Sequence, residues 1–353
     1  MHGGRLTLPP WLRAFTRRRP RLNLALQGGG AHGAFTWGVL DRLLEEDVDF
    51  EGLSGASAGA MNAAVLATGW LRGGSDGARE ALHHFWYEIS RISKSFSPAP
   101  LDFLFSGWNR DWSPDFLLLS SLTKVASPYQ LNPSGFNPIE QLLPRHIDFE
   151  ALQRTDRLKL FIAATNVHTA HPRVFRNAEI DTRVLLASSC LPVLFQAVEI
   201  DGAHYWDGGY SANPALYPAL LECASRDLLL VQLSPRLRPG VPTDIQEIAY
   251  RVNEISFSAH LFRELQLLAV LHQQSGRIPM AFHPLRRRIR ALRFHLIHTE
   301  GATEDMGRAS HINADWQFLV HLRDRGRETA DAWLVRNRRA LGRRSSERLE
   351  RFL

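Results

Sequence analysis

The sequence predicts a three-layer α/β domain, with a mostly parallel sheet between helices, a basic arm before it and a helical tail after it. Three observations predict this. The apolar run Leu22–Leu26 leads through a glycine loop into an amphipathic stretch, Phe35–Leu44. Phe50–Ser54 leads through Gly55-Ala56-Ser57-Ala58-Gly59 into Ala60–Ala67, which is rich in helix formers. Further apolar strands, Leu158–Thr165 and Leu228–Leu233, then alternate with helical stretches.

At 353 residues the chain is long enough to bury a large core. Its 44% hydrophobic and 22% charged residues are ordinary for a globular protein. The net charge of +6 rests on arginine, since only Lys94, Lys124 and Lys159 are lysines. Arginine binds two phosphate oxygens with one fork. Two cysteines, Cys190 and Cys223, make no disulfide framework, which favours a reducing compartment. No run of about 18 apolar residues exists, and Leu22–Leu26 is too short for the apolar core of a signal peptide. The expected location is therefore the cytoplasm. No metal-ligand spacing stands out: His168 and His171, or His83 and His84, lack matching cysteines or carboxylates.

Residues 1–20 form the basic arm, with Pro9, Pro10, Pro20 and five arginines. The domain proper spans residues 21–300. Its first loop, Gly28-Gly29-Gly30-Ala31-His32-Gly33, lies between strand and helix, where free N–H groups and a helix N-terminus converge on an anion. The spacing of Gly28, Gly30 and Gly33 also fits a dinucleotide loop, with Asp47, Asp49 and Glu51 as candidate ribose ligands. That oxidoreductase reading stays open. Against it stands the next turn. Ser57, between Gly55 and Gly59, has the form of a nucleophile elbow, although a serine there could also merely cap the helix. A cradle of donors beside an exposed hydroxyl makes sense as an oxyanion hole beside a nucleophile.

The helix after Ser57 is expected to run to about Ala67, with Gly69 and Gly73-Gly74 breaking it before a second helix over 76–92. Residues 95–145 read as an aromatic, proline-rich insertion holding Trp108, Trp112, Tyr129 and Phe136, either surface packing or an apolar lid. Arg173–Phe175 is a hairpin partner for Leu158–Thr165, and Arg183–Ser189 is helical. Val198–Ile200 and His204–Trp206 flank the turn Asp201-Gly202 and deliver a tight Asp207-Gly208-Gly209 turn. The stripe Ile248, Val252, Ile255, Ala259 and Phe262 has helical spacing and reads as core. A strand over Leu292–Ile297 follows. Residues 301–353 form a helical extension whose end, Arg336–Arg351, carries seven arginines.

Three turns in this order, with Ala187-Ser188-Ser189-Cys190-Leu191-Pro192 before the third, resemble the patatin-like phospholipase family over roughly residues 22–300. The resemblance implies the family's fold and a hydrolase of lipid carboxylic esters that needs no cofactor. It implies a dyad of Ser57 as nucleophile and Asp207 as base, with Gly28, Gly29 and Gly30 as oxyanion hole. Gly33, Gly55, Gly59, Gly208 and Gly209 support these turns. One departure matters: His32 stands where the family usually has Arg or Lys. A serine–aspartate–histidine triad remains the rival, with His295 and His298 as candidates. The expected partner is a lipid or acyl ester, not nucleic acid, for which no recognition motif accompanies the charge. Arg13, Arg17, Arg18, Arg19 and Arg21, with Arg336, Arg338, Arg339, Arg343, Arg344, Arg348 and Arg351, are candidate contacts for an anionic membrane face.

Overall fold

The apolar strands are β1 (Arg21–Leu26), β2 (Asp49–Gly55), β3 (Lys159–Asn166), β4 (Pro172–Arg176), β5 (Val198–Ile200), β6 (Ala203–Asp207), β7 (Asp227–Gln232) and β8 (Arg293–His298). They form one eight-stranded sheet in the order β5–β6–β3–β2–β1–β7–β8, with β4 also on β3. The pairs β2–β1, β1–β7, β2–β3 and β7–β8 are parallel. The pairs of β3 with β4 and β6, and of β5 with β6, are antiparallel. This computed structural model describes residues 19–96, 121–123, 125–235, 237–238, 240–275, 284–299 and 308–353.

Side chains alternate across a strand, and both faces are covered. Leu22, Leu24, Leu160 and Ile162 point into one core, with α1 (Gly33–Leu43), α2 (Ala58–Phe96), α3 (Thr182–Ser188) and α5 (Trp316–Asn337). Ala25, Phe161, Leu228 and Phe294 point into the other. That second core is closed by Leu261, Leu265 and Leu268 of α4 (Ile245–Ser275) and by Leu349 and Phe352 near the chain end. This is the three-layer α/β architecture expected. Helix α5, from the C-terminal extension, buries Phe318, Leu319 and Leu322 in the first core. It crosses α1 at two glycines: a Cβ on Gly38 would strike the Arg323 carbonyl, and one on Gly326 the Phe35 carbonyl. The two backbones touch there without intervening side chains.

Two expectations need correction. Gly69 does not end the helix after Ser57; α2 continues to Gly73 and Gly74, where the backbone leaves helical geometry. Gly69 instead lies against the Gly77 carbonyl, a close approach that needs a missing side chain rather than a break. The stripe read as core on α4 is also not core at its start: Ile248, Val252 and Ile255 are 40%, 56% and 51% exposed. The buried face is made by Ser258, Leu261, Leu265, Leu268 and Ala269 further along. Period alone marks an apolar face but not whether the helix meets the sheet there. About half of the aromatic insertion, including Trp108 and Trp112, lies outside the described residues; Tyr129 and Phe136 are exposed.

Arg19 meets arginines of the C-terminal end at the amino edge of the sheet. Arg19, Arg338, Arg339 and Arg343 border a cleft of ≈ 800 Å³ beside Pro20 and Val48. Arg19 pairs with Asp47 at 2.6 Å and Arg338 with Glu46 at 2.8 Å. No helix among the described residues is long and apolar enough to cross a membrane.

The helix crossing yields a test. Gly38→Ala is expected to lower stability by about 1–3 kcal/mol through overpacking, because the obstacle is backbone. Gly73→Ala meets no atom within 4 Å and should stay within about 0.5 kcal/mol of wild type. Equal urea midpoints for the two variants would contradict this packing.

Candidate active site

The site grows from one edge of β3. Strand β4 pairs with Phe161–Thr165 and so fills one side of it. Strands β2 and β6 therefore share the other side. β2 ends with Gly55 opposite Ile162, and β6 arrives antiparallel to end with Asp207 opposite Ala164. Only Ala163 lies between these two positions, a span of about 7 Å at the usual rise. The chain turns out of the sheet at both ends, so the Ser57 and Asp207 turns are built face to face.

At the first turn Ser57 has φ 52°, in the left-handed region. A non-glycine residue there carries about 1–3 kcal/mol of strain and marks a backbone held by its surroundings. The hold is visible. Ser57 N donates to both the carbonyl and the Oγ of Ser188, each at 3.0 Å. The Ser188 hydroxyl donates in turn to Ala163 O at 2.7 Å, the residue of β3 between the two turns. Gly59 lies against the Leu26 carbonyl and Gly55 against Gly59, so a side chain on either would push the elbow off the sheet. Helix α2 begins at Ala58, directly after Ser57, with no acidic residue in its first turn to offset the positive end of its dipole.

The glycine cradle packs directly on this elbow. A Cβ on Gly28 would sit 2.6 Å from Ala56 O and 2.8 Å from Ser57 Cβ. A Cβ on Gly33 would sit 2.6 Å from that of Ala58. Asn62 ties the pieces: its amide donates to Gly33 O at 2.9 Å and accepts from Trp86 Nε1 at 3.0 Å. The Gly28 N–H is already engaged, donating to Asn213 Oδ1 at 2.7 Å. Gly29 and Gly30 follow at the open end of the loop, with Gly30 at φ 59°.

At the second turn Asp207 is fully buried. Its N–H donates to Cys190 O at 2.8 Å, and its carbonyl accepts from Thr165 Oγ1 at 2.7 Å. Oδ1 accepts from Gly209 N at 2.7 Å, while Oδ2 is buried with no hydrogen-bond partner. The Ser57 hydroxyl is near enough to favour the charged carboxylate, although it does not complete a hydrogen bond of full geometry. Burial outweighs the Gly209 N–H and Ser57, and pushes the Asp207 carboxyl up to about 7. Gly208 lies against the Ala163 carbonyl and Gly209 against the Phe257 ring, so neither position has room for a side chain. Such a carboxylate can take a proton near neutral pH, and a strained serine beside it can supply one.

The cradle, elbow and Asp207 turn all lie within residues 24–220, more than half of the chain, which match a family model described as patatin-like phospholipase. The chain belongs to the patatin-like phospholipase family. Membership implies a lipid acyl hydrolase. Among solved structures, VipD from Legionella pneumophila is similar at 14% identity and a TM-score of 0.43, over 90% of this chain and 67% of that one. No curated protein matches the chain.

The rival arrangements fare differently in this patatin-like fold. His295 is bonded to Asp227 Oδ1 at 3.0 Å and Ser346 Oγ at 2.9 Å. Asp227 opens β7, at the opposite end of the strands from Ser57. His298 ends β8, three strands from β2, roughly 14 Å away at strand spacing. Neither candidate histidine is a hydrogen-bond partner of Asp207. For a dinucleotide, the ribose acid belongs at the carboxyl end of β2. Asp49 and Glu51 are at its amino end, where Glu51 binds the N–H groups of Ala224 and Ser225 at 2.6 and 2.8 Å. Ser57 follows the carboxyl end. No group of three or more metal-ligating side chains suited to an ion occurs among the described residues.

Sequence reasoning missed Asn213, Thr165, Asn62 and the bridging role of Ser188, which had entered only as part of a family-like string. These residues act through contacts across 24 to 185 positions, and no local pattern announces them.

The carboxyl pKa carries a stability prediction. A folded-state value above the unfolded one means that stability is full below about pH 4 and is lost as pH rises towards 7. Asp207→Asn never ionises. Its Tm relative to wild type should therefore climb between pH 4 and 7 and level off above 7. A difference that stays flat or shrinks over that range, followed by calorimetry, contradicts the burial argument.

Proposed function

We propose that the protein hydrolyses carboxylic esters of phospholipids or lysophospholipids through an acyl-Ser57 intermediate, with Asp207 as the sole general base. The observation that carries this reading is the pairing of a strained Ser57 with a buried carboxylate that has one unpartnered oxygen. Asp207 takes the hydroxyl proton as Ser57 Oγ attacks the ester carbonyl carbon. The carbonyl oxygen becomes an oxyanion, held by the N–H groups of Gly29 and Gly30 and by the N-terminus of α2. The intermediate collapses, the ester C–O bond breaks, and the proton on Asp207 passes to the departing alkoxide. Water then enters, gives its proton to Asp207 and attacks the acyl carbon. The second collapse releases the fatty acid, and the proton returns to Ser57. No redox or metal step is required for ester hydrolysis by this route.

The surroundings suit an acyl chain. The start of α4 presents Ile248, Val252 and Ile255 to solvent, and the same helix places Phe257 over Gly209 and Tyr210. An apolar face beside the catalytic turn fits a lipid substrate better than a polar one. The arginine-rich ends are poorly placed for the membrane contact expected of them. Four of the described candidates, Arg19, Arg338, Arg339 and Arg343, border a cleft at the amino edge of the sheet, away from Ser57, so a bilayer held there would face away from the chemistry.

A fluorophosphonate probe tests the reading. Wild type should label, and Ser57→Ala should not. Asp207→Asn should reduce ester turnover by about 10²–10⁴-fold, while His298→Ala should stay within about threefold of wild type. Equal labelling of Ser57→Ala, or a His298→Ala loss as large as that of Asp207→Asn, would overturn the dyad.

A further inference from the structure

The glycine cradle is braced from behind by a segment far outside the matched residues. His311 Nδ1 bonds Gly29 O at 3.0 Å. Its Nε2 bonds the Tyr250 hydroxyl, on α4, at 2.9 Å. The His311 ring stacks on that of His32, with centroids 3.9 Å apart. His32 in turn bonds the buried Ser310 hydroxyl through Nε2 at 2.8 Å. The backbone joins in, since a Cβ on Gly30 would strike the His311 carbonyl.

The tautomer of His311 follows from its partners. A carbonyl oxygen only accepts, so Nδ1 carries the proton. Nε2 then accepts from the Tyr250 hydroxyl. Both imidazoles are neutral. Burial, and secondarily His311, hold His32 well below the usual range, and burial lowers His311 despite the Gly29 carbonyl and Glu254, with Arg238 adding to the drop. The brace is therefore a directed hydrogen bond and not a cation.

What it directs follows from the peptide unit. In a trans peptide the carbonyl and the next N–H point in opposite directions. Gly29 O is held by His311 and also accepts from His32 N at 3.2 Å. The Gly30 N–H is thereby turned away from His311. Gly28 N–H is occupied by Asn213, so the hole relies on the donors that follow it. We propose that His311 is a positioning residue for the oxyanion hole, with the Tyr250 hydroxyl holding its far nitrogen and Gly30 N–H as the donor it aims. The proposal rests on the hydrolase reading for its effect on rate, but the bond itself does not.

Two substitutions separate the bond from packing. His311→Phe keeps a ring on His32 and loses the donor. His311→Asn loses the ring and returns an N–H close to where Nδ1 was. With a soluble p-nitrophenyl ester, His311→Phe should lose about 10²-fold in kcat, in the range for a lost oxyanion donor, with KM within about twofold. Fluorophosphonate labelling should slow in parallel, and His311→Asn should recover to within about tenfold of wild type. An active His311→Phe with an inactive His311→Asn assigns packing alone and overturns the proposal. So does wild-type activity in both, or loss in both with unchanged thermal unfolding. Nitrogen-15 NMR of the imidazoles reads the bond without activity: His311 should be the Nδ1–H tautomer at pH 7, in Tyr250→Phe as in wild type. An Nε2–H tautomer in wild type overturns the proposal even if the enzyme is active. Wild type that neither labels nor hydrolyses overturns the hydrolase reading, and the NMR result then stands by itself.

Discussion

The site depends on two strands sharing one edge of β3. β2 stops at Ile162 and β6 stops at Ala164, leaving Ala163 between them. The Ala163 carbonyl faces the Ser188 and Gly208 side of the strand. It is taken by the Ser188 hydroxyl and approached by Gly208. A buried carbonyl without a donor would cost about 1–3 kcal/mol, so the gap demands a donor, and the donor that fills it also holds Ser57 N. The requirement to satisfy one backbone group thus fixes the nucleophile turn relative to the carboxylate turn. The layers above and below serve that junction: α1 and α2 carry the cradle and elbow, and α4 lies against the Asp207 turn through Phe257 and Asn213.

Much of this was legible in the residues. The strand, glycine loop and helix at 22–44, the elbow at Ser57 and the Asp207 turn all have local signatures, because each needs glycine at a close approach. The hairpin of β5 and β6 was legible for a different reason, the positive φ that its Asp201-Gly202 turn requires. Their meeting was not. That β6 lies antiparallel on the edge vacated by β2 is a matter of topology, and no window of sequence contains it. Likewise Asn213, Tyr250 and His311 are ordinary polar residues on a turn and two helical segments, and their partners lie 185, 61 and 282 positions away. The α4 stripe misled because an apolar face at helical spacing looks the same whether it meets a core or solvent.

Asp207 shows why the arrangement favours chemistry over stability. A carboxylate with one hydrogen-bond donor and a solvent-shielded second oxygen is poorly stabilised in its charged form. The same poverty makes it a usable base, since a free aspartate near 3.9 would hold a serine proton too weakly. A contrast lies at the other end of the sheet. Asp227, also buried, is held below the usual range by His295, Arg293 and the Gly342 N–H, against the effect of burial. Two buried aspartates in one sheet thus have opposite roles, set by how many donors each receives. His295, one of the two histidines that could have completed a triad, is already committed to the structural one.

The most direct measurement of this account is the pH dependence of kcat/KM for a soluble ester whose own chemistry is constant between pH 5 and 9. With Asp207 as the base, the rate should rise tenfold per unit on the acid side and level off with an apparent pKa of about 7. A profile already flat at pH 5, or an acid limb that persists unchanged in Asp207→Asn, would show that another group takes the proton from Ser57.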